Sequence, residues 1–143
     1  MGRLQRKYDN PTDDSIDIVM VPLVGARLAA GRGSLETDGE VQSYFSFRSD
    51  WLCRKGDPDK MVLMKVCGDS MEPEISDGSI VWVRNQETLY HDDIGIFTLN
   101  GESLCKQLYL KDGKCRLVSI NPRYAPIEIG DDDDLRVVGK VIR

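Results

Sequence analysis

Short β-branched and apolar runs recur along most of this chain, and in some of them apolar and polar positions alternate with a period of two. Strands with one buried face produce that period, because successive side chains point to opposite faces of a sheet. "SIDIVMVPLVGARL" brings a β-branched, apolar run and predicts an opening strand that stops near Pro22. "VQSYFSFRSDWLCRKG" alternates Val41, Ser43, Phe45 and Phe47 against polar neighbours. It then offers Ser49 or Asp50 as the N-cap of a short helical turn around Trp51 and Leu52. "KMVLMKVC" (60–67) and "SIVWVR" (79–84) predict two further strands, with Asp77-Gly78 turning the chain ahead of the second. "IGIFTL" runs into Asn100-Gly101 and then "ESLCKQLYL", and Asp112-Gly113 leads on into "KCRLVSI". Both dipeptides suit a type I′ hairpin turn, which needs positive φ at both central residues. "APIEI", an acidic run "GDDDD" and "LRVVGKVI" complete the chain. The last reads equally as an exposed strand at a dimer interface and as a buried core strand. The fold class is mainly β.

Two segments break the pattern. Residues 1–17 are polar, with Asp9-Asn10-Pro11 and Asp13-Asp14, and suit a linker or tail. Residues 29–40, "AAGRGSLETDGE", are small, polar and glycine-rich, as a flexible exposed loop is. The remainder, 18–143, is one domain's worth of chain and long enough to bury a core without disulfides.

Composition narrows the function. The formal net charge of −5 runs against the basic footprint of nucleic-acid binding. No apolar run approaches the ~20 residues of a membrane span, and the start carries no secretory signal. The 4 cysteines, at positions 53, 67, 105 and 115, include no Cys-x-x-Cys pair. Free thiols in a reducing cytoplasm are the expectation, with no metal site, since His91 is the single histidine. Asp131 to Asp134 read as a solvated turn.

"VCGDSMEPEISDGSIVWV" (66–83) sets Ser70 at a bend between two strands. Either the segment is a surface loop or Ser70 is a nucleophile, and a serine nucleophile needs a neighbouring base. His91 lies in the polar stretch "LYHDDI" and reads as a surface residue. A lysine can serve if burial lowers its pKa from ~10.4, by up to ~3–5 units for full burial. In "ESLCKQLYL", Lys106 shares a face with Leu104, Leu108 and Leu110, opposite Ser103, Cys105, Gln107 and Tyr109. Lys65, near Leu63 and Cys67, repeats that pattern. Periodicity therefore leaves open both a catalytic Lys106 and one that snorkels to water.

Taken together, "GDSMEPEISDGSIVWV", "GESLCKQL" and "LVSINPRYAPIEI" resemble the LexA-like peptidases. These are the self-cleaving carboxy-terminal domains of LexA and lambdoid phage repressors, with UmuD as a cousin. The resemblance covers roughly residues 18–143 and implies the LexA-like, signal-peptidase-like β fold of hairpins with a short helical turn. It implies a serine-lysine dyad, Ser70 as nucleophile and Lys106 as neutral base, with an oxyanion hole from the backbone of Asp69 and Ser70 and no cofactor. Met71 packs beneath the serine, and Asp69 serves the turn. The implied substrate is the protein's own chain, cut at Ala30-Gly31 in the 29–40 loop. The implied partners are a second copy in a homodimer, a RecA filament on single-stranded DNA as trigger, and operator DNA through an amino-terminal domain that residues 1–17 do not supply. On that reading the chain is a fragment of a phage or SOS-type repressor. A UmuD-like polymerase accessory protein and a non-cleaving dimerisation module are the alternatives.

Overall fold

The computed structural model describes residues 17–24 and 41–142. The tail before residue 17 and the 29–40 loop, with Ala30 and Gly31, lie outside the described residues.

Nine strands form one sheet among the described residues, in the order β2-β1-β3-β4-β9-β5-β6-β7-β8. They are β1 (Ile18–Val24), β2 (Val41–Arg48), β3 (Met61–Lys65), β4 (Ile80–Asn85), β5 (Ile94–Leu99), β6 (Glu102–Lys111), β7 (Lys114–Val118), β8 (Ile127–Glu128) and β9 (Leu135–Ile142). Every neighbouring pair is antiparallel except β1 and β3. This is the mainly β, LexA-like architecture the sequence implies. The two hairpin turns form as read: Asn100 and Gly101, then Asp112 and Gly113, all have positive φ.

Two local expectations need correction. β1 does not stop at Pro22 but continues to Val24. β3 joins β1 only at Leu23 and Val24, so the proline sits just ahead of the doubly flanked part of the strand, where its missing donor is tolerated. Nor does Ser49 or Asp50 cap the helical turn α1 (Ser49–Leu52); Arg48 holds the N-cap position, with no side-chain cap bond. Ser49 is buried, and its N–H extends the β1–β2 ladder to the Asp17 carbonyl at 2.9 Å. The serine is already committed to the sheet when the helix starts.

The acidic run is more than a solvated turn. Asp133 accepts from Gly130 N–H at 2.8 Å and from Asn100 Nδ2 at 3.0 Å. Those bonds hold its carboxyl below the usual range, and they tie the turn to the β5–β6 hairpin.

β9 is internal, paired with β4 on one side and β5 on the other, and buries Val138 and Val141. Within the chain, "LRVVGKVI" is thus a core strand, as one of its two readings has it. Gly139 pairs with both Asn85 and Ile96, where the β5–β9 register shifts. A Cβ there would lie 2.6 Å from the Arg84 carbonyl oxygen, and backbone cannot move aside. Gly139→Ala is therefore expected to cost about 1–3 kcal/mol. Urea denaturation checks it, as a lower midpoint with an unchanged slope.

Candidate active site

The segment between β3 and β4 is a braced turn. Val66 N–H donates to Ser79 O at 2.8 Å and Gly78 N–H returns a bond to Val66 O at 2.7 Å. Asp77 Oδ1 accepts from Gly68 N–H at 2.7 Å, and Glu72 Oε2 accepts from Asp77 N–H at 3.1 Å. Within the turn, Ile75 N–H bonds to Met71 O at 2.9 Å. Met71 and Ile75 are buried in a cluster with Val66, Val83, Ile94 and Val138. Met71 thus anchors the turn from beneath, and Ser70 stands half-buried on its outer side.

β6 brings the lysine. Leu104 and Leu108, two positions either side of Lys106, join the cluster around Phe97 and Leu117, while Cys105 packs with Met71 in the first cluster. Lys106 is only 8% exposed, and its Nζ makes a hydrogen bond of 3.0 Å with Ser70 Oγ. Burial lowers the Lys106 pKa below the ordinary lysine value, and the neighbouring Cys105 opposes that weakly. Burial also pushes the Cys105 thiol up to about 11. Lys65, which shares the sequence pattern of Lys106, is exposed. His91 is partly covered; its Nδ1 accepts from Leu110 N–H at 3.1 Å and its Nε2 lies 3.4 Å from Asp92. The structure thus brings Ser70 and Lys106 together and leaves His91 engaged elsewhere.

The backbone at Asp69 and Ser70 is held from outside the turn. Asn121 donates from its backbone N–H to Ser70 O at 2.9 Å and from Nδ2 to Asp69 O at 3.0 Å. Tyr124 donates its hydroxyl to Asp69 Oδ1, a bond that raises the phenol's pKa. The Tyr124 ring also stands 5.9 Å from Lys106 Nζ. Sequence reasoning attached no chemistry to Asn121 or Tyr124, although Asn-Pro marks a turn that can present such groups.

A groove of about 160 Å³ lies between β3 and the start of β6, lined by Met64, Val66, Cys67, Ile96, Leu104 and Cys105 among others. The β6–β7 ladder stops at Gln107, so β7 does not cover this stretch of β6. Cys67 is exposed, Cys105 is partly buried, and all four cysteines are free. No helix among the described residues is long and apolar enough to cross a membrane.

The chain is similar to curated repressors over most of its length. It is 32% identical over 137 residues to the LexA repressor of Oleidesulfovibrio alaskensis, covering 93% of this chain and 62% of that protein. It is 31% identical to the LexA repressor of Magnetococcus marinus, covering 96% of this chain and 58% of the relative. It is 37% identical to that of Clavibacter sepedonicus, with 88% and 52% covered. The chain therefore spans little more than half the length of these relatives. A family described as Peptidase S24-like matches residues 22–142, from within β1 to the end of β9. With the match running through the serine turn, the lysine strand and the Asn121 segment alike, the chain belongs to the Peptidase S24-like family.

Proposed function

We propose that this chain is the self-cleaving and dimerisation domain of a phage or SOS-type transcriptional repressor, a serine peptidase that cuts its own Ala30-Gly31 bond. The observation that carries the reading is the 3.0 Å hydrogen bond between Ser70 Oγ and the buried Lys106 Nζ. A neutral amine in that position takes the hydroxyl proton as Oγ attacks the Ala30 carbonyl carbon. The N–H groups of Asp69 and Ser70 meet the developing oxyanion. The Lys106 ammonium passes its proton to the Gly31 nitrogen, the Ala30–Gly31 bond breaks, and an ester joins Ala30 to Ser70. Water, deprotonated by Lys106, hydrolyses the ester and restores both side chains. The cycle needs no cofactor.

The attachment of the cleavable segment supports an intramolecular substrate. Val24 and Val41 flank residues 25–40, and both pack in the cluster that holds Met71 and Cys105, the chain neighbours of Ser70 and Lys106. At a reach of at most ~3.6 Å per residue, Ala30 stays within about 22 Å of Val24. Tethering so close gives the bond a high effective concentration at the dyad.

The name of the relatives supports the biological setting and favours it over a UmuD-like accessory protein. Dimers of this domain hold two amino-terminal DNA-binding domains of the longer protein on a two-fold operator. Cleavage severs that link and removes the bivalency. A RecA filament on single-stranded DNA acts as trigger by favouring the conformation with the loop in the dyad.

The test is to incubate the purified chain at pH ~10, near the unperturbed lysine pKa, and follow its intact mass. Fragments 1–30 and 31–143 are expected. An uncut chain, with and without RecA filament, returns the non-cleaving dimerisation module. A cut elsewhere that still requires Ser70 keeps the peptidase and discards Ala30-Gly31.

A further inference from the structure

Asn121 grips the serine turn at two successive carbonyl groups and does nothing else there. Its N–H bonds to Ser70 O at 2.9 Å and its Nδ2 bonds to Asp69 O at 3.0 Å. Its Oδ1 accepts from Arg123 N–H at 3.1 Å, which fixes the side-chain amide with its nitrogen toward the turn. Tyr124 braces the same segment, donating its N–H to Asn121 O at 3.2 Å and its hydroxyl to Asp69 Oδ1. The amides of Asp69 and Ser70, by contrast, donate no hydrogen bond among the described residues.

A trans peptide unit is planar, with its C=O and N–H directed oppositely. The Asp69 carbonyl and the Ser70 N–H belong to one such unit, so a donor fixed on the carbonyl aims the N–H the other way. That carbonyl accepts twice, from Asn121 Nδ2 and from Glu72 N–H at 3.1 Å. Two acceptor bonds polarise the unit and strengthen its N–H as a donor. We infer that Asn121 is a positioning residue for the oxyanion hole: its side chain holds the Asp69–Ser70 peptide so that the Ser70 N–H faces the reacting carbonyl oxygen. The inference rests on the self-cleavage reading. Asn121 bonds to neither Ser70 Oγ nor Lys106 Nζ, so its loss weakens transition-state stabilisation and leaves the titration of the base alone.

The test compares the parent chain with Asn121→Ala and Asn121→Asp by intact mass over a series of pH values. Asn121→Asp keeps the acceptor for Arg123 and the side-chain shape but lacks the Nδ2 donor. Removing an oxyanion donor outright costs roughly 10²–10³-fold, so a misaimed one is expected to cost about 10–100-fold at every pH. The midpoint of the pH–rate profile is expected to stay where the parent has it in Asn121→Ala, which adds no charge near Lys106. A folded variant that cleaves at the parent rate overturns the inference, and so does a shifted midpoint in Asn121→Ala, which would make Asn121 a modulator of the base. Loss of native circular dichroism in both variants overturns it too, by making Asn121 a folding residue. A parent that never cleaves withdraws the self-cleavage reading itself, which separates the two failures.

Discussion

Ser70→Ala and Lys106→Ala are each expected to lose at least ~10⁴-fold in self-cleavage, leaving the chain intact where the parent is fully cut. On the proposed reading the two side chains act as one proton-transfer unit through their 3.0 Å hydrogen bond, so either removal disables the same step. The double variant should therefore be no slower than the singles, because residues acting as a unit are grossly non-additive. Lys106→Arg sharpens the point. An arginine keeps a cation near the serine but cannot deprotonate in a protein. If the lysine acted only as a fixed positive charge orienting Ser70, the arginine variant would retain activity; as a base, it is as dead as alanine. His91→Ala is the control, expected within twofold of the parent, since His91 Nδ1 is bound to the Leu110 N–H. Intact-mass time courses on these variants read every outcome. Cleavage surviving in Lys106→Ala, or lost in His91→Ala, would reassign the base.

How much of this was legible in the sequence depends on the range of the interaction that decides each feature. The Asn100-Gly101 and Asp112-Gly113 hairpins are local, because four residues and their φ preferences determine them. The passage of β1 through Pro22 is not local, since it depends on how far β3 runs alongside. The start of the helical turn is not local either: the backbone N–H of Ser49 bonds to Asp17, far away in sequence, and Arg48 holds the N-cap position. Lys65 and Lys106 look alike in a two-residue period, yet one is exposed and the other buried. A strand lysine is buried only when something covers it, and what covers Lys106 includes the serine turn and Tyr124, remote segments that no pattern along β6 can report. The grip of Asn121 on Asp69 spans 52 residues of sequence and involves only carbonyl oxygens on the receiving side. Backbone acceptors have no residue-type signature, so such a contact is visible only once the fold has brought the segments together.

The rate of self-cleavage is expected to rise about tenfold per pH unit from neutrality and to level off with a midpoint below the ~10.4 of a free lysine. The slope follows from the fraction of Lys106 that is neutral, since on the proposed reading only that form takes the Ser70 proton. Desolvation by burial is the largest influence and lowers its pKa. The Cys105 thiol opposes it, but with its own pKa at about 11 the thiol stays neutral across most of the range. The Tyr124 ring, 5.9 Å from Nζ, favours the ammonium by the modest amount of a cation–π contact. Among the described residues no carboxylate pairs with Lys106 to hold the charged form in place. The same shift has a sign for stability. Between the lowered folded pKa and the unfolded value the unfolded chain binds more protons, so stability rises with pH across that window and is depressed below it. Lys106→Met, apolar and of similar length, removes the penalty and should raise the midpoint of thermal unfolding at neutral pH while abolishing cleavage, the trade expected of a group kept for chemistry. A pH–rate midpoint at or above ~10.4, or a Lys106→Met variant less stable than the parent at pH 7, would mean that Lys106 is as well solvated as a surface lysine and unfit to act as the base.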